Sequence, residues 1–266
     1  MRLGASSPLV RKVRRRWDRL RHGRGFSTAE TVDRVRRGIA AAGLDPDAGQ
    51  KRLDAVLAGL RDAPFDFGRD SVHWLLFACL AEREGDAARI LELGTFDGAF
   101  TAILARLFPA AEITTIDLPE SDPILRTSYD REEDDAYRAF VRKRDANVAA
   151  PNVRALAVNS VFLLDHVDGP FDLVWVDAGH LYPEVAWDLA NARHLCRPGG
   201  ALLCDDVLDE DGESTDYVSP DSLHVLRYLE ARTDDRLSLH LKRCSRKSAA
   251  VPRTRKYVAL LERAPD

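Results

Sequence analysis

Several features that would settle a protein's class at a glance are missing from this chain. Its four cysteines, Cys79, Cys196, Cys204 and Cys244, are scattered over 266 residues with none of the paired spacings of a zinc site. They read as packed thiols of a reducing compartment, so the expected location is the cytoplasm. No apolar run approaches the ~18 residues of a spanning helix, and the N-terminus lacks the apolar core of a signal peptide. Neither sign of charge dominates: 39 Lys and Arg against 43 Asp and Glu leave a net charge of −4, with no global pull toward nucleic acid or anionic membrane. No internal repeat is visible. The dinucleotide fingerprint G-x-G-x-x-G is also absent from the one glycine turn that follows a strand, which counts against a nicotinamide oxidoreductase.

What is present is organised around Ala88–Phe108, where strand, turn and helix are written back to back. Ile90, Leu91 and Leu93 suit a strand buried on both faces, and Ile103, Leu104, Leu107 and Phe108 recur at helical spacing. Between them, Gly94 to Gly98 form a turn that a ligand can approach closely, at the positive end of the helix that follows. Glu92 sits at the strand end, where a carboxylate would repel a pyrophosphate but suit a cationic ligand. The next strand, Glu112–Asp117, ends in an acid about where a ribose diol would be gripped.

Ahead of this core, residues 1–25 carry a dense basic run from Arg11 to Arg24, with Val10, Val13, Trp17 and Leu20 on one helical face. Such an arm can dock on an acidic surface of its own protein, a partner subunit, RNA or lipid headgroups, or stay a solvated extension. Residues 26–69 read as a helical prelude. Ser27-Thr-Ala-Glu30 is a capping box with Val32, Val35 and Ile39 following, and a second helix carries Leu53, Val56, Leu57 and Leu60. A third helix, from about Ser71 to Glu84, is too apolar to lie on the surface. We expect these helices to pack over the cofactor edge of the sheet.

Residues 70–266 then alternate strands and helices. Further strands are expected at Val153–Val158, Phe171–Val176, Ala201–Cys204, Leu237–Leu241 and Lys256–Glu262, with Arg197-Pro-Gly-Gly200 as a strong turn before the fifth. The polar loop Leu118–Asp130 is a lid candidate, and Arg243 to Arg255 a basic connection. This is an α/β, Rossmann-like doubly wound sheet of seven strands, mainly parallel with an antiparallel last strand, plus an N-terminal helical extension. All parallel strand C-termini fall on one edge. Asp177, Asp205 and Asp206 gather there, and their mutual repulsion would be relieved by an oxygen-loving dication such as Mg²⁺. His180, three residues after Asp177, is placed to take a proton as general base, or to serve as a structural imidazole. Adjacent strand residues point to opposite faces, so Asp205 and Asp206 both reach one metal only if the chain leaves the pleat there.

Glu92-Leu-Gly-Thr-Phe-Asp-Gly98 with Asp117 resembles the cofactor motif of class I S-adenosylmethionine (SAM) dependent methyltransferases. Asp177-Ala-Gly-His180 with Leu-Leu-Cys-Asp205-Asp206 resembles the metal-dependent O-methyltransferases of small hydroxylated molecules, particularly macrocin-type enzymes that methylate sugar hydroxyls in bacterial natural products. Catechol-type enzymes share the layout, with lysine where His180 stands and an acid followed by asparagine where Asp205-Asp206 stand. The resemblance covers roughly residues 70–262. It implies cofactor contacts at Glu92, Gly94, Thr95, Phe96, Gly98, Asp117, Asn159, Ser160 and Asp177, although Asn159 also suits a helix cap. It further implies Mg²⁺ or another divalent ion on Asp177, Asp205 and Asp206, with His180 as base and Asp177 beside it. In related enzymes the N-terminal helices help to cover the substrate or form a dimer contact, so a homo-oligomer is compatible. The expected activity is SAM-dependent O-methylation of a sugar or polyhydroxylated natural product. Rival readings are a methyltransferase acting on nucleic acid or a nitrogen acceptor without metal, and a non-catalytic SAM-binding scaffold. The motif Asn/Asp-Pro-Pro-Tyr, used on exocyclic amino groups, is missing after the fourth strand, which counts against nucleic acid.

Overall fold

In the computed structural model the residues described are 25–85, 88–128 and 131–265. All of the basic arm but Gly25 therefore lies outside them. Three helices come first: α1 (Thr28–Ala41), α2 (Pro46–Ala58) and α3 (His73–Arg83). The capping box starts α1 as expected, with Ser27 Oγ accepting the Glu30 N–H at 3.2 Å. Asp45 caps α2 ahead of Pro46.

The rest alternates strand and helix: β1 (Arg89–Leu93), α4 (Ala99–Leu107), β2 (Glu112–Asp117), α5 (Pro123–Thr127), α6 (Asp134–Asn147), β3 (Val153–Ala157), α7 (Leu163–His166), β4 (Phe171–Val176), α8 (Glu184–Leu195), β5 (Cys196–Leu208), α9 (Asp221–Arg232), β6 (Arg236–Leu241), α10 (Arg246–Ala249) and β7 (Lys256–Glu262). The strands form one seven-stranded sheet in the order β3-β2-β1-β4-β5-β7-β6. β1 to β5 pair in parallel, while β7 runs antiparallel to both β5 and β6. Alternate residues of the central strands fill two cores. Ile90, Leu173, Trp175 and Leu203 face one that includes α1 to α4, and Leu91, Val174, Leu202 and Leu261 face the other, which includes α8 and α9. The prelude helices are thus built into one face of the core, with α1 against β6 and α2 against α3 and α4. They form a layer on the sheet rather than a cover over one of its edges.

Two local expectations change. β5 is far longer than Ala201–Cys204, and Arg197–Gly200 is an irregularity inside it. Between the pairs Phe171–Cys196 and Leu173–Ala201, β5 advances five residues while β4 advances two. The loop after β2 holds the short helix α5, capped by Asp122. No helix among the described residues is long and apolar enough to cross a membrane.

Candidate active site at the strand ends

The turn after β1 is shaped by three consecutive demands on its backbone. Gly94 has φ +99°, and a Cβ built there would lie 2.2 Å from the Asp177 carbonyl oxygen at the end of β4. Phe96 has φ +50°, uncommon for a residue with a side chain, and its N–H is held by Asp117 Oδ2 at 2.6 Å. Gly98 has φ +71° at the N-cap of α4, and its Cβ would meet Asn147 and Val148 at the end of α6. Asp117 also accepts the Leu118 N–H, at 2.8 Å, and burial pushes its pKa up against these favourable contacts.

Glu92 differs from its expected role. It is 1% exposed, and Oε2 accepts the hydroxyls of Thr101 at 2.5 Å and Thr115 at 2.6 Å. Thr115 in turn meets the Thr95 hydroxyl at 2.6 Å. The carboxyl therefore braces the turn from beneath, with Oε2 committed to the two threonines. Burial pushes its pKa up to about 8, so the folded state holds a proton that the unfolded chain releases near the ordinary 4.5. The associated stability is present in full below about 4.5 and is lost as pH rises through about 8. Glu92→Gln should remove this loss. Urea unfolding from pH 5 to pH 8 should show the variant gaining on wild type by roughly 3–5 kcal/mol. A pH-independent difference would place the ionised form in the folded protein.

Asn159 behaves as a cap, its Oδ1 accepting the Val161 N–H at 3.0 Å ahead of the 3₁₀ turn Ser160–Phe162. No contact between Asn159 or Ser160 and the glycine turn appears among the described side-chain hydrogen bonds.

At the end of β4, Asp177 Oδ1 lies 3.3 Å from His180 Nε2. Asp177 is pushed up to about 6 by burial and by the charge of Asp205. For His180, burial pulls the pKa down, but the neighbouring Asp177 outweighs it and the net shift is upward. His180 Nδ1 is buried with no partner among the described residues, and the segment is pinned by a bridge from His180 to Val218.

At the end of β5 the chain does leave the pleat. Asp206 has φ +51°, and between the pairs Cys204–Ala259 and Val207–Tyr257 β5 carries one residue more than β7. This bulge turns both carboxylates to one side, where they meet lysines that the sequence reading passed over. Lys242 Nζ donates to Asp205 Oδ2 and, at 2.5 Å, to Asp206 Oδ1; Lys256 Nζ donates to Asp206 Oδ2 at 2.5 Å. These ammonium groups hold both carboxyls below the usual range, although burial alone would raise them.

The donor set therefore does not match the expected dication on Asp177, Asp205 and Asp206. Three of the four oxygens of the acid pair are already engaged by ammonium groups, and no group of three metal-type side chains close enough to share an ion occurs among the described residues. His73 is the other residue missed. Buried at the start of α3, it stacks against Trp175 with ring centroids 4.4 Å apart and meets Ser71 Oγ at 2.7 Å. Burial pulls its pKa down to about 3, opposed mainly by the charge of Asp205. Its ring also meets Phe100 edge-on, with centroids 4.4 Å apart.

The same strand ends lie within the segment that known families recognise: residues 91–207 match a family model described as a methyltransferase domain. This segment is similar to a methyltransferase domain. A curated relative, catechol O-methyltransferase of Mycobacterium tuberculosis, is 28% identical over 158 residues, or 58% of this chain and 64% of that protein. The match thus spans less than two thirds of the relative's length. Among solved structures, the O-methyltransferase TomG of Streptomyces achromogenes, involved in tomaymycin synthesis and solved with SAM, superposes with a TM-score of 0.50 at 22% identity. That match covers 86% of this chain and 96% of TomG. A Clostridium thermocellum protein provisionally assigned as an rRNA methylase gives a TM-score of 0.50 at 14% identity, covering 74% of this chain and 98% of that one. The seven-stranded sheet therefore has the fold of these methyltransferase structures, as its sequence led us to expect.

Proposed function

We propose that the chain is a SAM-dependent O-methyltransferase of the catechol O-methyltransferase type, acting on a hydroxyl of a small molecule such as a sugar or a polyhydroxylated natural product. One observation carries this reading. Gly94 of the glycine turn lies against the Asp177 carbonyl, so the turn and the Asp177–His180 pair are parts of one site. The relatives supply the direction, one being a catechol O-methyltransferase and one an O-methyltransferase solved with SAM.

The turn fits SAM by its own construction. Side chains are excluded at Gly94 and Gly98, and Asp117 keeps a carboxylate at the end of β2 with lone pairs left for a diol. Residues 94–98 and Asp117 would hold the cofactor, which supplies a methyl group on a sulfonium when bound. His180 would accept the acceptor's hydroxyl proton at Nδ1, the ring nitrogen that Asp177 leaves unengaged, and Asp177 would orient the ring through Nε2 and stabilise the imidazolium as it forms. The dication expected from the sequence is not part of this proposal, because lysines engage the oxygens it would need.

The test is transfer of labelled methyl from SAM to a panel of catechols, glycosides, amines and structured RNA. Label on a hydroxyl oxygen is expected. Label on an amine or on RNA, with the hydroxylated compounds untouched, would overturn the reading.

A further inference from the structure

The acidic wall of the site already contains a cation. We propose that the Lys242 ammonium stands in the place of a divalent ion between Asp205 and Asp206, and that the site consequently neither binds nor requires one. Lys242 acts here as a positioning residue. The inference rests on the proposed function only in treating these strand ends as the transfer site.

Three features of the chain build this arrangement. The bulge at Asp206, with φ +51°, turns two sequence neighbours toward a single Nζ, a convergence that a flat strand forbids. Lys242 is 9% exposed, and its backbone is fixed on both sides: its N–H donates to the Lys256 carbonyl at 2.8 Å and its carbonyl accepts the Val72 N–H at 2.9 Å. The hairpin of β6 and β7 therefore delivers Lys242 and Lys256 together, and Lys256 takes the remaining oxygen of Asp206.

The charges are matched within the pair. Asp205 and Asp206 carry two negative charges, and Lys242 and Lys256 carry two positive ones. A dication added to this set would sit beside two ammonium groups in a buried place, where like charges repel strongly. Within the acid pair only Asp205 Oδ1 lacks a partner among the described residues, so a cation that is to gain a second oxygen of the pair must displace an ammonium group. Oxygens freed by removing the ammonium would make a cation site.

The experiment is paramagnetic titration of Mn²⁺ into the full chain, followed by the loss of the free-ion signal. Wild type should bind no ion up to ~1 mM, the weak end of carboxylate cation sites. Lys242→Met, which keeps most of the buried stem and removes the charge, should bind one ion per chain, and Lys242→Met with Asp205→Asn should lose it again. One ion bound by wild type and lost in Asp205→Asn would overturn the proposal. Absence of binding in wild type and in folded Lys242→Met would overturn it too, since the ammonium would then occupy no cation site. Thermal unfolding checks that the variants fold. Should they not, the wild-type arm decides alone, no ion sustaining the proposal and one ion overturning it. The readout needs no methyl transfer, so a failure of the proposed activity would leave the Mn²⁺ result standing and separately interpretable.

Discussion

His180→Ala is expected to lower kcat at least ~100-fold while leaving the affinity for S-adenosylhomocysteine within about twofold of wild type, on the scale of losing a positioned general base. His180 lies on the loop after β4, tied to Asp177 at 3.3 Å and held by the bridge to Val218, and it makes no hydrogen bond to residues 94–98 among the described residues. The pH profile adds a second signature. Because Asp177 raises the His180 pKa above its ordinary 6.5, the neutral base accumulates only above that value. The wild-type rate should therefore climb through a limb centred above 6.5, and His180→Ala should lack that limb. Asp177→Asn should show a comparable loss of turnover, because an amide cannot stabilise the imidazolium. An unchanged kcat in His180→Ala would leave the imidazole as a structural group.

Gly94→Ala should have the second large effect, on stability and cofactor binding together. The new methyl would lie 2.2 Å from the Asp177 carbonyl oxygen and 2.6 Å from its carbon, both backbone atoms of a central strand that cannot move aside as a flexible side chain would. Overpacking and the positive φ together should cost at least ~2 kcal/mol, and forced separation of β1 from β4 should weaken S-adenosylhomocysteine binding at least ~10-fold. Gly43→Ala is the control. Its φ is +75°, but nothing lies within 4 Å of the added carbon, so only the backbone strain of about 1 kcal/mol should appear, with binding intact. Urea unfolding and calorimetry separate the two variants. Equal behaviour would mean that the contact between Gly94 and Asp177 does not constrain the site.

How much of this was readable from the sequence follows from the range of the interactions involved. The sheet and its parallel edge were legible because β1, β4 and β5 are apolar on both faces and each is followed by an acid or a glycine turn. The capping box of α1 was legible because it is local. Glu92 was misread because its two threonine partners come from β2 and α4, and neither spacing marks them as ligands of a carboxyl. Lys242 and Lys256 went unnoticed for a related reason. The stretch between them, Arg243 to Arg255, was visible as basic, yet Arg243 and Arg255 spend Nε on the carbonyls of Arg69 and Ala249. The lysines at its two ends gain their meaning only through the β6–β7 register and the bulge in β5, and no local pattern announces either. His73 was concealed by the apolar helix that buries it, although a lone histidine there was itself a signal. The acids were found and their counter-charge was not, which is why the sequence pointed to a metal where the fold places lysines.

The most direct test of the account is calorimetric titration of S-adenosylhomocysteine into wild type and Asp117→Asn. The glycine turn and Asp117 are assigned to the cofactor, so wild type should bind one equivalent. The variant keeps an oxygen for the Phe96 N–H, turns its NH2 toward the Leu118 N–H and loses the charge offered to a diol, and it should bind at least about 10-fold more weakly. One equivalent bound with unchanged affinity in Asp117→Asn, or no binding by the folded wild type, would contradict the assignment of this edge of the sheet to SAM.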